Sequence, residues 1–219
     1  MKKCVAKMTN KGGYTIVELM VAIAISGIFM GTIYSAYTSQ QRATLGQEQI
    51  SSMQRNLRSA MYFMEKEIRM AGCDPTGLTT AGIVQANANL MEFKADMDGD
   101  GTIATDEHIT YSLPGADLIR NGDRIAENID ALNFVYLDGD SPPQPLNPGM
   151  TDVSESSIPD IRSVQVTVAA RTSKADAKYT DSTSYQNKIP ETIFTPSGDD
   201  VHFRRKLLST SIKCRNMGL

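Results

Sequence analysis

The pattern of apolar and polar positions divides the chain into three stretches. From Tyr14 to Tyr37 apolar residues run with few interruptions, and Glu18 is the only charge among them. As a helix rising about 1.5 Å per residue, that run is long enough to cross a hydrocarbon core of roughly 30 Å. The period then changes. Ile50, Met53, Leu57, Met61, Met64 and Ile68 recur at steps of three and four, with Gln47, Glu48, Arg55, Arg58 and Glu65 off the stripe, which predicts an amphipathic helix. No proline occurs between Tyr14 and Asp74, and the stretch closes on Lys66 and Arg69, then Gly72 as C-cap and Pro75 as stop. One helix is therefore expected to run on from the apolar segment, with its stripe packed under the protein's own sheet.

Beyond Gly72 the alternation shortens to a period of two. Leu90 to Lys94, His108 to Leu113, the piece around Leu118-Ile119, Ala131 to Leu137 and Ile161 to Ala170 read as strands. Asp138 to Asp160, with Pro142, Pro143, Pro145 and Pro148, reads as a loop, as does Ser173 to Asp200. The expected fold class is α+β: a long N-terminal helix, membrane-spanning in its first half and amphipathic in its second, packed on an antiparallel β-sheet globular domain. The segments are 14–38 for the apolar helix, 39–72 for its amphipathic continuation and 73–219 for the β-rich domain.

Charge adds direction. Lys2, Lys3, Lys7 and Lys11 precede the apolar run without an acidic residue, which holds the N-terminus in the cytoplasm and sends residues from about Gln40 outward. The small pair Gly12-Gly13 comes before the run, where a secretory signal would have its cleavage site after a shorter one. The chain has 22 Lys and Arg against 25 Asp and Glu; without these four lysines the count is 18 against 25, so the net charge moves from -3 to -7, which argues against a nucleic-acid surface. An acid in a membrane segment costs roughly 2.5–3.5 kcal/mol on insertion scales, so Glu18 calls for a functional partner.

The run Lys11-Gly12-Gly13-Tyr14-Thr15-Ile16-Val17-Glu18-Leu19-Met20-Val21-Ala22 resembles the N-terminal motif of type IV prepilins and pseudopilins. The resemblance implies a leader of residues 1–13, removed by a prepilin peptidase that cuts after Gly13 and methylates the new amine of Tyr14. Tyr14 stands where the family usually has Phe. Glu18, the fifth residue after the cut, takes the place of the family's glutamate that pairs with the N-terminal amine of a neighbouring subunit. The implied setting is a single pass through the bacterial inner membrane with the C-terminal domain in the periplasm, and then a pilus or pseudopilus filament. The implied partners are other minor and major pilins and the inner-membrane assembly platform.

More loosely, Glu67 to Pro75, Ala126 to Phe134, Ile161 to Val166 and Phe203 to Lys206 resemble PilW-type minor pilins and their relatives, the J-type minor pseudopilins. These matches imply a minor type IV pilin in a tip or initiation complex. A minor pseudopilin of a type II secretion system is the alternative within the class. A membrane-tethered calcium-binding module that never polymerises is the alternative outside it.

That last alternative arises from Asp96-Met97-Asp98-Gly99-Asp100-Gly101-Thr102-Ile103-Ala104-Thr105-Asp106-Glu107, which fills a D-x-[DN]-x-[DN]-G-x5-E loop and resembles that of an EF-hand. Carboxylates from Asp96, Asp98 and Asp100, the Thr102 carbonyl and Glu107 supply the hard oxygens calcium requires, with an extracellular-type affinity of roughly 0.1–1 mM. The flanks read as strands, so the loop is expected to be a hairpin tip rather than a helix–loop–helix. The competing reading is a solvated acidic turn, and it is preferred for the shorter Asp138-Gly139-Asp140.

Of the three cysteines, Cys4 lies in the leader, while Cys73 and Cys214 are expected to form a disulfide in an oxidising periplasm. Closing so long a loop contributes on the order of 4–5 kcal/mol in the chain-entropy picture. His108 and His202 are the only histidines, and neither sits in a nucleophile or metal-ligand spacing, so no enzyme is expected.

Overall fold

The computed structural model describes residues 12–218. The leader expected at 1–13, with Lys2, Lys3, Lys7, Lys11 and Cys4, lies outside the described residues except for Gly12 and Gly13. The chain divides into two compact units between Gly46 and Gln47. Helix α1, Ile16–Ile68, is continuous, 53 residues long. In the first unit its apolar side chains are exposed, and an 18-residue window of mean hydropathy 2.2 is long and apolar enough to cross a membrane.

In the second unit α1 buries Met53, Leu57, Ala60, Met61, Met64 and Ile68, with Ile50 half-buried against the same core. This is the stripe read from the sequence, extended by the small Ala60. The helix ends four residues before the expected cap. Met70 N and Ala71 N donate to Glu67 O and Ile68 O, tightening the last turn. Gly72, at φ +78°, then donates its N–H to Lys94 O. A Cβ there would meet Met217 Sδ at 3.0 Å and Asn216 O at 3.3 Å, so both conformation and space require glycine.

The strands are all antiparallel, but they form separate sheets where a single sheet was expected. β1 (Gly82–Ala86), β2 (Leu90–Lys94), β3 (His108–Ser112), β4 (Leu118–Arg120) and β5 (Asp123–Ala126) make a five-stranded meander in chain order. β6 (Ile129–Leu137), β7 (Ser163–Arg171) and β10 (Arg205–Lys213) make a second sheet, ordered β10-β7-β6. β8 (Tyr185–Gln186) and β9 (Thr192–Phe194) form a small hairpin inside the stretch expected to be loop. Side chains from α1, the meander and the three-stranded sheet join one hydrophobic cluster that includes Leu57, Met64, Phe93, Tyr111, Phe134, Tyr136 and Val166.

Two polar ties cross that core. Glu67 on α1 accepts from Tyr111 OH on β3 and from Arg120 Nε on β4, 2.8 Å away. Burial and the neighbouring Glu67 carboxylate push the Tyr111 hydroxyl far above its ordinary pKa, so it stays a donor. At the other end, Arg205 has no exposed side-chain surface; it pairs with Asp130 and Asp181 and donates to Asp200 O at 2.8 Å. Asp181 also accepts from Tyr185 OH at 2.7 Å, which fastens the hairpin segment to the ends of β6 and β10.

Because Leu57 is only 1 % exposed, Leu57→Ala should cost about 2–5 kcal/mol. Thermal denaturation of the full chain in detergent checks this against Tyr62→Ala, whose side chain is exposed; equal effects would contradict the packing described.

Candidate functional site

The first turn of α1 is the first site. Thr15 N and Oγ1 both donate to Glu18 Oε2, at 2.8 and 2.9 Å, and Glu18 N donates back to Thr15 Oγ1 at 3.2 Å. This reciprocal arrangement is a capping box, Thr-x-x-Glu, placed where the helix N-terminus exposes its free N–H groups and favours negative charge. Ahead of it, Gly12 and Gly13 are exposed with open space around each, and Tyr14 is 93 % exposed. The backbone on either side of the Gly13–Tyr14 bond is thus sterically accessible.

The second site is the acidic loop. It links β2 to β3, so the flanks are strands, as the sequence pattern predicts. Asp96 and Glu107 are buried at the base, and together with Asp98 each can present one ligand oxygen within 4.8 Å of the others. Asp96 accepts from Gly99 N at 2.7 Å and Gly101 N at 3.1 Å; Gly99 and Gly101 have φ of 76° and 82°. Glu107 accepts from Met97 N, from Asp98 N at 3.3 Å and from Ala104 N at 2.9 Å. Asp100 stands apart from this trio and accepts from Thr102 N and Oγ1, at 2.8 and 2.7 Å. A ring of inward N–H groups thus offsets the repulsion among the carboxylates. The N–H donors of Ala104 and Met97 hold the Glu107 carboxyl below its ordinary range, and Thr102 does the same for Asp100.

The loop is anchored from behind, where Asp96 N donates to Cys73 O at 2.8 Å. Cys73 and Cys214, expected to pair, are not joined in this structure. Cys214 is packed into the core at 3 % exposure, where burial raises its pKa to about 12, so its thiol is chemically inert. Cys73 is only half-buried, on the turn that closes α1. The shorter Asp138-Gly139-Asp140 is a turn, with Asp138 Oδ1 accepting from Asp140 N and Gln144 N. Both histidines have structural ties: His108 Nε2 lies 2.6 Å from Glu92 Oε1, and His202 Nδ1 lies 2.7 Å from Tyr179 O. The Glu67 and Arg205 ties join residues 53 and 75 positions apart, and no local sequence signal marks them.

Comparison with known proteins gives two family matches. The prokaryotic N-terminal methylation motif matches residues 8–34, and the family described as type IV pilus-assembly protein W matches residues 105–216. Asp96, Asp98, Asp100 and Thr102 therefore fall outside both matched stretches. Among curated proteins no match is found. Among solved structures, a type IV-like pilin from Thermus thermophilus is similar at 11 % identity and a TM-score of 0.48, over 75 % of this chain and 97 % of that one.

The depressed Glu107 carboxyl has a pH consequence. Its contribution to loop stability is in place above the unfolded Glu value of about 4.3 and is lost as pH falls through the lower folded value. The amide resonances of Met97 and Ala104 should therefore titrate with a midpoint below about 4.3. A midpoint at or above that value would contradict the arrangement.

Proposed function

We propose that this chain, which belongs to the type IV pilus-assembly protein W family, is a minor pilin that enters the filament through α1, at its tip or in the complex that initiates it. The family is one of structural subunits in pilus assembly, and the methylation-motif match with the apolar helix marks a membrane-anchored member of it. The finer reading is cleavage after Gly13, methylation of the Tyr14 amine and use of Glu18 to accept the amine of a neighbouring subunit.

One observation carries this reading. Glu18 lies in the first turn of α1, within its exposed apolar half, and among the described residues its side chain's hydrogen-bond donors both belong to Thr15. Its carboxylate is thus held at the helix end nearest the new N-terminus, where a cationic amine from another copy of the motif can reach it. The Thr15 donors are neutral groups that leave the carboxylate's charge uncompensated, and a neighbour's ammonium would add the opposite full charge that a membrane-embedded acid calls for. Membership of a pilus-assembly family favours the pilus over a secretion pseudopilus.

Mature protein from pilus-forming cells should begin at a methylated Tyr14, and Glu18→Ala should leave processing intact while removing the subunit from sheared filaments. An intact Met1 end, or normal incorporation of Glu18→Ala, would overturn the reading.

We also propose calcium as the ligand of the β2–β3 loop. Asp96, Asp98 and Glu107 already face one another, and the completed motif adds Asp100 and the Thr102 carbonyl. The ion would replace N–H groups as the answer to clustered negative charge and tie the loop to Cys73 on the turn after α1. Titration of the full chain in detergent with calcium chloride should show one site with Kd of roughly 0.1–1 mM and a melting temperature that rises with calcium. Glu107→Gln should abolish both effects; an identical response in that variant would exclude the loop.

A further inference from the structure

The two edges of the three-stranded sheet are treated differently by the rest of the chain. At the β6 edge, Phe134 N donates to Ala88 O at 2.8 Å and Tyr136 N to Asn147 Oδ1 at 3.0 Å. In return Phe134 O accepts from Asn147 Nδ2 at 2.9 Å and Tyr136 O from Leu146 N at 2.8 Å. That edge is closed by other segments. β10 forms the opposite edge and pairs only with β7 over its nine residues.

The bonds at the two ends of the β10–β7 ladder set which backbone groups point outward. Thr172 N donates to Arg204 O and Cys214 N donates to Arg162 O, so the even-numbered residues of this strand turn their backbone groups to β7. The register, Arg205 opposite Arg171 through Lys213 opposite Ser163, carries this alternation without a bulge. Arg205, Leu207, Ser209, Ser211 and Lys213 therefore present N–H and C=O outward, and among the described residues no backbone group takes them up. Such a row is a template for an added strand.

Charge identifies what it accepts. From Val201 to the C-terminus there are five cationic residues and no Asp or Glu. Arg204 and Arg205 are paired within the fold, with Asp176 and with Asp130 and Asp181. Lys206, Lys213 and Arg215 are exposed and have no ion pair among the described residues. A second copy of β10 in the centred antiparallel register would set Lys213 against Arg205 at both ends of the ladder, like-charge pairs that destabilise it, and would leave Lys206 opposite Ile212 without a counter-charge. A strand with Asp or Glu opposite those two lysines is favoured by the same geometry. The side chains between them, Leu207 to Ile212, are uncharged and pose no electrostatic obstacle.

We infer that the β10 edge is a docking site for an extended, acidic segment of a different pilin subunit, which adds as a fourth strand to the sheet. The nature of the partner rests on the assembly role proposed above; the open edge does not.

The test uses the full chain in pilus-forming cells, with a photoactivatable benzoylphenylalanine in place of Ser211. Irradiation should give an adduct to another pilin, mapped by mass spectrometry to a non-helical segment bearing Asp or Glu. Adduct yield should fall about tenfold, the equivalent of one or two lost interactions, in Ser209→Pro, which removes an outward N–H and, of the bonds to β7, only the side-chain one from Ser209 Oγ to Thr167 Oγ1. The double variant Lys206→Glu with Lys213→Glu should give a similar fall without touching the backbone, and so tests the edge even if the proline variant folds poorly. An adduct to a helix or to a second copy, yields unchanged in the charge variant, or no adduct at all would overturn the inference. Counting pili on the same cells separates the two readings: no adduct on normally piliated cells overturns the edge alone.

Discussion

The burial of one face of α1, from Met53 to Ile68, is the constraint on which the rest of the domain depends. Neither sheet is large: the meander has strands of three to five residues, and the other sheet has three strands. Small sheets of this kind need an apolar partner to be stable. Both contribute to one cluster with the helix, so the helix is a wall common to two sheets that share no strand ladder. Glu67 lies beside that stripe. With Tyr111 and Arg120 it ties the helix to the meander at a fixed register, a role that dispersion contacts alone fill poorly because they lack direction.

The same economy explains the Arg205 cluster. A guanidinium with no exposed surface requires carboxylates, and Asp130 and Asp181 come from segments far apart in the chain. Burial raises the Asp130 carboxyl, with Arg205 opposing, whereas Asp181 stays low because hydrogen bonds from Tyr185 and Thr183 outweigh its burial. Removing one member would leave a buried charge without its counterpart, which costs more than the intact pair contributes. The cluster therefore specifies where the long segment between β7 and β10 lies more than it stabilises the domain.

Much of this was legible in the sequence because it is local. The apolar run, the stripe from Ile50 to Ile68, the break at Gly72 and the turn chemistry of Asp96 to Glu107 each depend on neighbours within a few residues. Strands β2, β3, β6 and β7 announced themselves by alternation. β10 did not: Lys206, Leu207, Leu208, Ser209, Thr210 and Ser211 carry no period-two signal, because a half-buried edge strand needs no strict polarity on either face. The division into two sheets was equally hidden, since pairing is decided by packing over the helix. The expected Cys73–Cys214 link rested on compartment alone and gave no information on how the side chains would be oriented. Of the metal-type motif, the spacing placed Asp96, Asp98 and Glu107 together, whereas Asp100 found a nearer donor in Thr102.

The Thr15–Glu18 capping box bears on reversibility. A carboxylate that had no partner in the lone subunit would be driven hard toward the filament and would resist coming back. Here the acid already has two donors in Thr15, so the carboxylate is not left without a partner before any neighbour is met. If Glu18 takes a neighbour's amine as proposed above, these intrahelical donors narrow the free-energy difference between the lone and the joined subunit.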